Sequence, residues 1–249
     1  MSDSADMLNI HSIESFGTHD GPGIRLVVFL QGCNLKCLYC QNADTIKNEG
    51  GRLIETEELV RRAVNMKTYF GKTGGVTVSG GEPLLQSKKL IPLFEKLRQE
   101  GIHTNIDTNA TVSNVYSQQL ISELSDLVMF DMKNTTSDGF EKLTGRDGLQ
   151  TALDLIALRE KSQKPYWLRY VLIPGYTDHP DQLNWLGKKL GTNTWLERVE
   201  LLPYHKLGEY KWEALGEKYQ LTDVSENTPE QIQQAHEILK KYFKLVIAK

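Results

Sequence analysis

Cysteine is scarce in this chain and confined to one place. Three residues in 249, Cys33, Cys37 and Cys40, all fall within the run Gln31-Gly32-Cys33-Asn34-Leu35-Lys36-Cys37-Leu38-Tyr39-Cys40-Gln41-Asn42. An odd, tightly grouped set excludes the disulfide framework of small secreted domains, and a reducing cytoplasm is the expected setting. Long apolar runs are missing too: the longest, such as 26–30, are far too short to cross a bilayer, so no membrane partner is expected. Residues 1–7 are polar and acidic and do not read as a signal peptide. Basic charge is not in excess: 29 Lys and Arg stand against 32 Asp and Glu, a net charge of −3, which argues against a nucleic-acid partner. There is no internal repeat, low-complexity tract or long linker. What is present, 249 residues with 39% apolar content, suffices for one large domain or two small ones.

The cysteines are separated by three residues and then two, with aromatic Tyr39 just before the last. Three neighbouring thiolates suit a soft metal centre. An iron–sulfur cube has four iron corners, so three cysteines leave one iron without a protein ligand, and an open metal position is what a catalytic site keeps. Three plainer readings compete. The helical spacing allows three small apolar residues on a buried face, but Gly32 and Asn34 are poor helix-interior residues and Lys36 sits between the thiols. A structural zinc site needs a fourth Cys or a His at matching spacing, and none follows nearby. A disulfide leaves one thiol over.

The rest of the chain alternates short apolar strands with amphipathic helices. Residues 24–30 (IRLVVFL) read as a buried strand, as do 75–78, 102–106, 127–130, 166–173 and 199–202; 7–15 and 245–248 are candidate short strands at the ends. Helices are expected over 56–70, capped by Thr56, then over 84–100, with Pro92 near its start or at a kink, and over 113–125, 149–161, 181–190 and 228–243, the last capped by Thr228 with Pro229 at its first position. Six strand–helix units imply a parallel sheet, either an incomplete barrel or an open doubly wound sheet; both gather active sites at the C-terminal ends of the strands.

That rule gathers the polar clusters. The cysteines follow the first strand, Gly80-Gly81-Glu82 the second, Asp107 and Thr108 the third, Asp131 and Lys133 the fourth, and His205 the sixth. Gly80 and Gly81 permit close backbone approach, and Glu82 offers an acceptor to an ammonium group. Each has a plainer reading: Gly80-Gly81-Glu82-Pro83 is also an ordinary turn, Asp131 and Lys133 a surface ion pair, His205 a partly buried histidine, and Asp20, within Gly17-Thr18-His19-Asp20-Gly21-Pro22-Gly23, a turn former. Loops are polar in any case, so the convergence lends support to a site at this rim.

With its cysteine spacing the chain resembles the radical S-adenosylmethionine (SAM) superfamily. With His19-Asp20-Gly21-Pro22-Gly23-Ile24-Arg25, Gly101-Ile102-His103-Thr104, Asp107-Thr108-Asn109, Asp126-Leu127-Val128-Met129, Leu201 to Gly208 (LLPYHKLG) and Lys211-Trp212…Gly216…Tyr219 it resembles, along essentially its whole length, the glycyl-radical-enzyme activases. Many of these carry extra cysteine quartets; three cysteines alone match the short, single-cluster kind that acts on pyruvate formate-lyase. The resemblance implies an α/β partial (β/α)6 TIM-like barrel of radical SAM type over 1–249 as a single domain: an N-terminal segment and loop (1–23), a barrel core (24–205) and a C-terminal extension (206–249). It implies that Cys33, Cys37 and Cys40 hold a 4Fe–4S cluster, whose open iron chelates SAM and whose electron cleaves SAM to a 5′-deoxyadenosyl radical. Tyr39, Cys40, Gln41, Gly80, Gly81, Glu82, Asp131, Met132, Lys133 and His205 would line the SAM site. Asp107, Thr108, Met129 and Asp131 would form a monovalent-cation site, and Asp20 would face the glycine loop of pyruvate formate-lyase. A flavodoxin or ferredoxin-type reductant would supply the electron. Three other readings remain: activation of another glycyl radical enzyme; radical chemistry on a small molecule or nucleoside, marked by SAM cleavage only when such a substrate is added; and a metal-bearing interaction protein, marked by stable metal without 5′-deoxyadenosine.

Overall fold

The structure, a computed structural model, describes residues 7–249; of the polar start of the chain, residues 1–6 lie outside the described residues. The chain forms two compact units. One contains the described chain from Met7 to Asn34 together with Thr45–Met129, and the other contains Leu35–Asp44 together with Phe130–Lys249.

In the first unit, strands β1 (Met7–Gly17), β2 (Arg25–Leu30), β3 (Arg52–Glu55), β4 (Gly75–Gly80) and β5 (His103–Thr108) pair in the order β3-β1-β2-β4-β5. β1 runs antiparallel to both its neighbours. β2, β4 and β5 run parallel, Leu26 opposite Val76 and Val76 opposite Thr104. Five of the six residues of β2 are buried, which is what a continuous apolar run does when both faces of a parallel sheet are covered. Helix α1 (Thr56–Asn65) and the turn-long α2 (Lys67–Phe70) occupy the stretch expected as one helix, and Leu59, Ala63, Met66 and Phe70 are buried as the spacing requires. The break falls at Met66, whose N–H is shared between the carbonyls of Arg62 and Ala63, a tightening common at helix ends. Thr56 does not cap: the cap position is Glu55, without a side-chain bond, and Thr56 is the first helical residue and buried. It lies directly after β3, so its side chain is turned into the core instead of toward the helix end. A 3-10 turn over Pro83–Gln86 leads into α3 (Ser87–Gln99), which buries Leu90, Leu93, Phe94 and Leu97 on one stripe and carries Pro92 inside it. The segment 113–125 forms α4 (Val115–Gln119), capped by Asn114, followed by a π turn over Leu120–Leu124.

Strand β6 (Leu127–Asp131) carries the chain into the second unit. There follow α5 (Ser137–Thr144), α6 (Leu149–Lys161), β7 (Tyr166–Leu172), α7 (Pro180–Leu190), β8 (Leu196–Pro203), α8 (Glu209–Ala214), α9 (Pro229–Leu239) and β9 (Val246–Ala248). β7, β8 and β9 pair in parallel. Thr228 caps α9 through a reciprocal bond with Gln231, and Pro229 holds its first position, as expected. Fully buried Glu200 in β8 is neutralised by Arg169 at 3.0 Å, Arg198 at 3.2 Å and Lys249 at 2.7 Å.

Candidate active site

In the first unit the end of β4 is stitched to the start of the cysteine loop by backbone alone. Gly81 N–H donates to Leu30 O (2.9 Å) and Glu82 N–H to Gly32 O (2.8 Å). A Cβ on Gly81 would collide with the Gly32 carbonyl, so glycine is required by the approach. Beyond it, Glu82 is buried and ties three points together. Its Oε1 accepts from Leu84 N–H (2.9 Å) and Thr108 Oγ1 (2.6 Å), and its Oε2 from Asn109 N–H (2.8 Å). Asp107 Oδ2 accepts from Ser79 Oγ at 2.9 Å, and Met129 is buried in the core. Asn109, which the sequence marked only within a longer motif, donates from Nδ2 to Cys33 Sγ at 3.8 Å and to Asn34 Oδ1 at 3.3 Å. Asn34 in turn donates to Thr111 Oγ1 at 2.7 Å. The ends of β2, β4 and β5 thus meet around Cys33.

The glycine-rich loop before β2 is anchored to the same sheet. The Asp20 carbonyl accepts from Thr77 Oγ1 (2.6 Å) and Asn105 Nδ2 (3.1 Å), which leaves the fixed Asp20 partly exposed. Arg25, fully buried, donates to Thr77 Oγ1 at 2.9 Å and meets His103 Nδ1 at 3.1 Å. Burial lowers its guanidinium to about 10, against the opposing pull of Asp126 and Asp20.

The second unit holds the remainder of the cysteine loop. Cys40 N–H donates to Cys37 O at 3.1 Å, and none of the three cysteines is in a disulfide. Lys133 Nζ reaches Asp131 Oδ2 at 2.7 Å and lies 5.7 Å from the centre of the Tyr39 ring. Lys133 is only 11% exposed, so this is not a solvated surface pair. Burial lowers its pKa, but Asp131, Tyr39 and Cys37 outweigh burial and hold the ammonium well above its usual range. Burial pushes the Cys37 thiol up to about 12 and raises the Tyr39 phenol, with Lys133 opposing both. Met132 is buried and its N–H donates to Arg169 O at 2.9 Å. Gln41 Nε2 donates to the His205 carbonyl at 3.0 Å; His205 itself is exposed, not partly buried.

Two side chains here carry no chemical assignment from sequence. Trp212 Nε1–H donates to the Cys40 carbonyl at 3.0 Å, and Lys211 Nζ pairs with Asp44 Oδ1 at 3.1 Å. Both come from α8, more than 160 residues along the chain, and pin the loop. Each expected polar cluster lies at the C-terminal end of its strand: Gly80 ends β4, Thr108 ends β5, Asp131 ends β6, and His205 follows β8.

Three reduced thiols in an eight-residue stretch fit a soft iron centre, which binds cysteine as the thiolate and displaces its proton. Among the described residues no trio of His, Cys, Asp or Glu forms a ready-made metal cage, so the fit rests on donor chemistry and on the placement of the loop.

Comparison with known proteins gives the class and then the family. Residues 27–183 match the Radical SAM superfamily. In fold the chain is similar to SuiB of Streptococcus suis, solved with its precursor peptide SuiA (TM-score 0.70, 17% identity, covering 90% of this chain and 48% of that one). It is similar as well to a domain of pyruvate-formate lyase-activating enzyme from Bacteroides vulgatus (TM-score 0.59, 24% identity, covering 71% of this chain and 99% of that one). In sequence it is 42% identical over 235 residues to the pyruvate formate-lyase-activating enzyme of Staphylococcus aureus, covering 92% of this chain and 93% of the relative. The chain therefore belongs to the radical SAM superfamily and, within it, to the family of the pyruvate formate-lyase-activating enzymes. Its fold class is the expected one, the α/β partial barrel of radical SAM type.

Proposed function

We propose that this protein activates pyruvate formate-lyase by generating a glycyl radical on it. The observation that carries the reading is the pairing of a three-thiol loop with a Gly-Gly-Glu turn bonded to its base, in a chain 42% identical to an activase over 92% of its length. Cys33, Cys37 and Cys40 would hold the 4Fe–4S cluster. Held by these residues, the cluster would supply the one electron for reductive cleavage of SAM, the chemistry by which a hydrogen atom would be taken from a glycine α-carbon.

The chain's own residues bind, orient and shield. Gly80, Gly81 and Glu82 would meet the methionine end of SAM, with the Glu82 carboxylate as acceptor for its amino group. Tyr39, Gln41, Asp131, Met132, Lys133 and His205 would line the remainder, and Asp107, Thr108, Met129 and Asp131 would hold a monovalent cation. Asp20, on its anchored glycine-rich loop, would face the glycine loop of pyruvate formate-lyase. The buried Lys133 ammonium beside Tyr39 would favour anionic groups over water in that part of the site. A flavodoxin or ferredoxin-type carrier would deliver the electron, in a reducing, oxygen-poor cytoplasm. No helix among the described residues is long and apolar enough to cross a membrane.

The test is anaerobic reconstitution with iron and sulfide, reduction with SAM and pyruvate formate-lyase present, and electron paramagnetic resonance for a glycyl radical. Cys33→Ala, Cys37→Ala and Cys40→Ala should each abolish the signal; full activity in any of them refutes the assignment.

A further inference from the structure

A cleft of about 680 Å³ opens in the first unit, just outside the base of the cysteine loop. Its walls come from Asn9 of β1, the residue after β2, the 3-10 turn that precedes α3, and the starts of α3 and α4. Three apolar side chains stand exposed on it: Leu85 at 43%, Val115 at 71% and Tyr116 at 37%. Lys88 and Lys89 flank them, with the Lys88 ammonium 5.7 Å from the centre of the Tyr116 ring. The lining holds no carboxylate. Gln31 forms part of the floor, and its carbonyl accepts from Gln86 Nε2 at 3.2 Å. Gln31 is two residues before Cys33, so the floor is within about 8 Å of that cysteine along the backbone.

We propose that this cleft is the docking site for the protein that reduces the cluster, an acidic one-electron carrier. The inference rests on the activase reading above, which requires a cluster at Cys33 and an external electron. Two observations select the occupant. An apolar centre edged by cations and free of anions is complementary to an acidic partner. Its floor is continuous with the loop that carries Cys33, so a carrier seated there lies two residues of backbone from a side chain that would hold the cluster. The carrier would give up one electron, and the cluster that Cys33, Cys37 and Cys40 would hold would accept it, with no proton or bond exchanged between them.

The experiment compares two reductants with the full reconstituted protein. Glycyl-radical formation is timed with a reduced, acidic flavodoxin and, separately, with dithionite. Lys88→Glu/Lys89→Glu should weaken binding of the flavodoxin about tenfold by calorimetry at low ionic strength, slow the flavodoxin-driven rate to match, and leave the dithionite-driven rate unchanged. The wild-type flavodoxin rate should fall as salt is added, and the variant's should fall less. Val115→Asp, at an open position that does not threaten folding, should slow the same reaction threefold or more. A flavodoxin-driven rate within threefold of wild type in the double variant overturns the proposal. So does an equal loss with dithionite, which would assign the cleft to the substrate enzyme. Failure of the wild type under dithionite would instead refute the activase reading itself.

Discussion

Both carboxylate oxygens of Glu82 are engaged by the chain, and that makes one side chain answerable for two properties. The same buried group joins the turn after β4 to the end of β5 and is the proposed acceptor for SAM. Glu82→Gln should therefore reveal both. The amide nitrogen must replace one oxygen and face an N–H or O–H donor, leaving buried donors unmet at about 1–3 kcal/mol. A urea midpoint lowered accordingly, together with weakened SAM binding by calorimetry, is expected; an unchanged midpoint would show that the turn does not depend on the carboxylate. Glu200 makes the opposite case, a carboxylate fully buried among three cations with no assigned part in the chemistry. Removing it leaves Arg169, only 11% exposed, as a largely buried charge without its partner, whereas Arg198 and Lys249, about a quarter exposed, can turn to water. Glu200→Ala should cost about 3–5 kcal/mol in urea unfolding. The folded fraction of the variant should retain SAM binding.

At the scale of elements, the cysteine loop is held from outside by the segment between β8 and α9. Gln41 bonds the His205 carbonyl, Trp212 bonds the Cys40 carbonyl, Lys211 pairs with Asp44, and Lys36 pairs with Glu217 at 2.5 Å. Gly208 lies so close to Cys40 and Gln41 that a Cβ would meet the Gln41 backbone at 2.8 Å. Trp212→Phe keeps an aromatic ring at this buried position while removing the indole N–H and part of the ring's bulk. It should leave the fold intact by circular dichroism while the visible absorbance of the reconstituted cluster bleaches threefold or more faster in the presence of a chelator. Equal bleaching rates would mean that α8 merely covers the loop. Sequence could not assign this strap a role, since a side chain bonding a backbone carbonyl 172 residues away leaves no local pattern. β3 escaped for a related reason: Arg52-Leu53-Ile54-Glu55 buries only Ile54 and owes its strand form to pairing with β1. α5 and α8 escaped because eight and six residues are too few for a helical period to stand out.

For the molecule as a whole, the six strand positions with polar clusters or helices after them were legible because a parallel strand buried on both faces is an apolar run, and apolar runs are visible in a sequence. The placement of candidate residues at strand ends followed from topology. Their partners did not: Asn109 on Cys33, Lys133 over Tyr39 and Glu82 across to Thr108 are side-chain meetings between distant segments. Another property that only the folded chain discloses is its behaviour in alkali. Tyr166 and Tyr170 are fully buried on β7, and burial raises both phenols above the usual 10. The folded protein then keeps protons that the unfolded chain has already released, so the stability these groups contribute is complete below about pH 10 and is lost as pH rises beyond it. Arg25 opposes this: its lowered guanidinium means that above about 10 the unfolded chain binds the extra proton. It is one group against two, and the Tyr204–Tyr219 hydroxyl pair, at 2.9 Å, adds to the phenol side with both phenols raised by burial. Urea midpoints measured from about pH 9 to pH 11 should therefore decline, most steeply above pH 10. Tyr166→Phe and Tyr170→Phe should each flatten the decline by removing one ionisation from the unfolded state. A midpoint that rises with pH over that interval would mean that Arg25, not the tyrosines, governs alkaline stability.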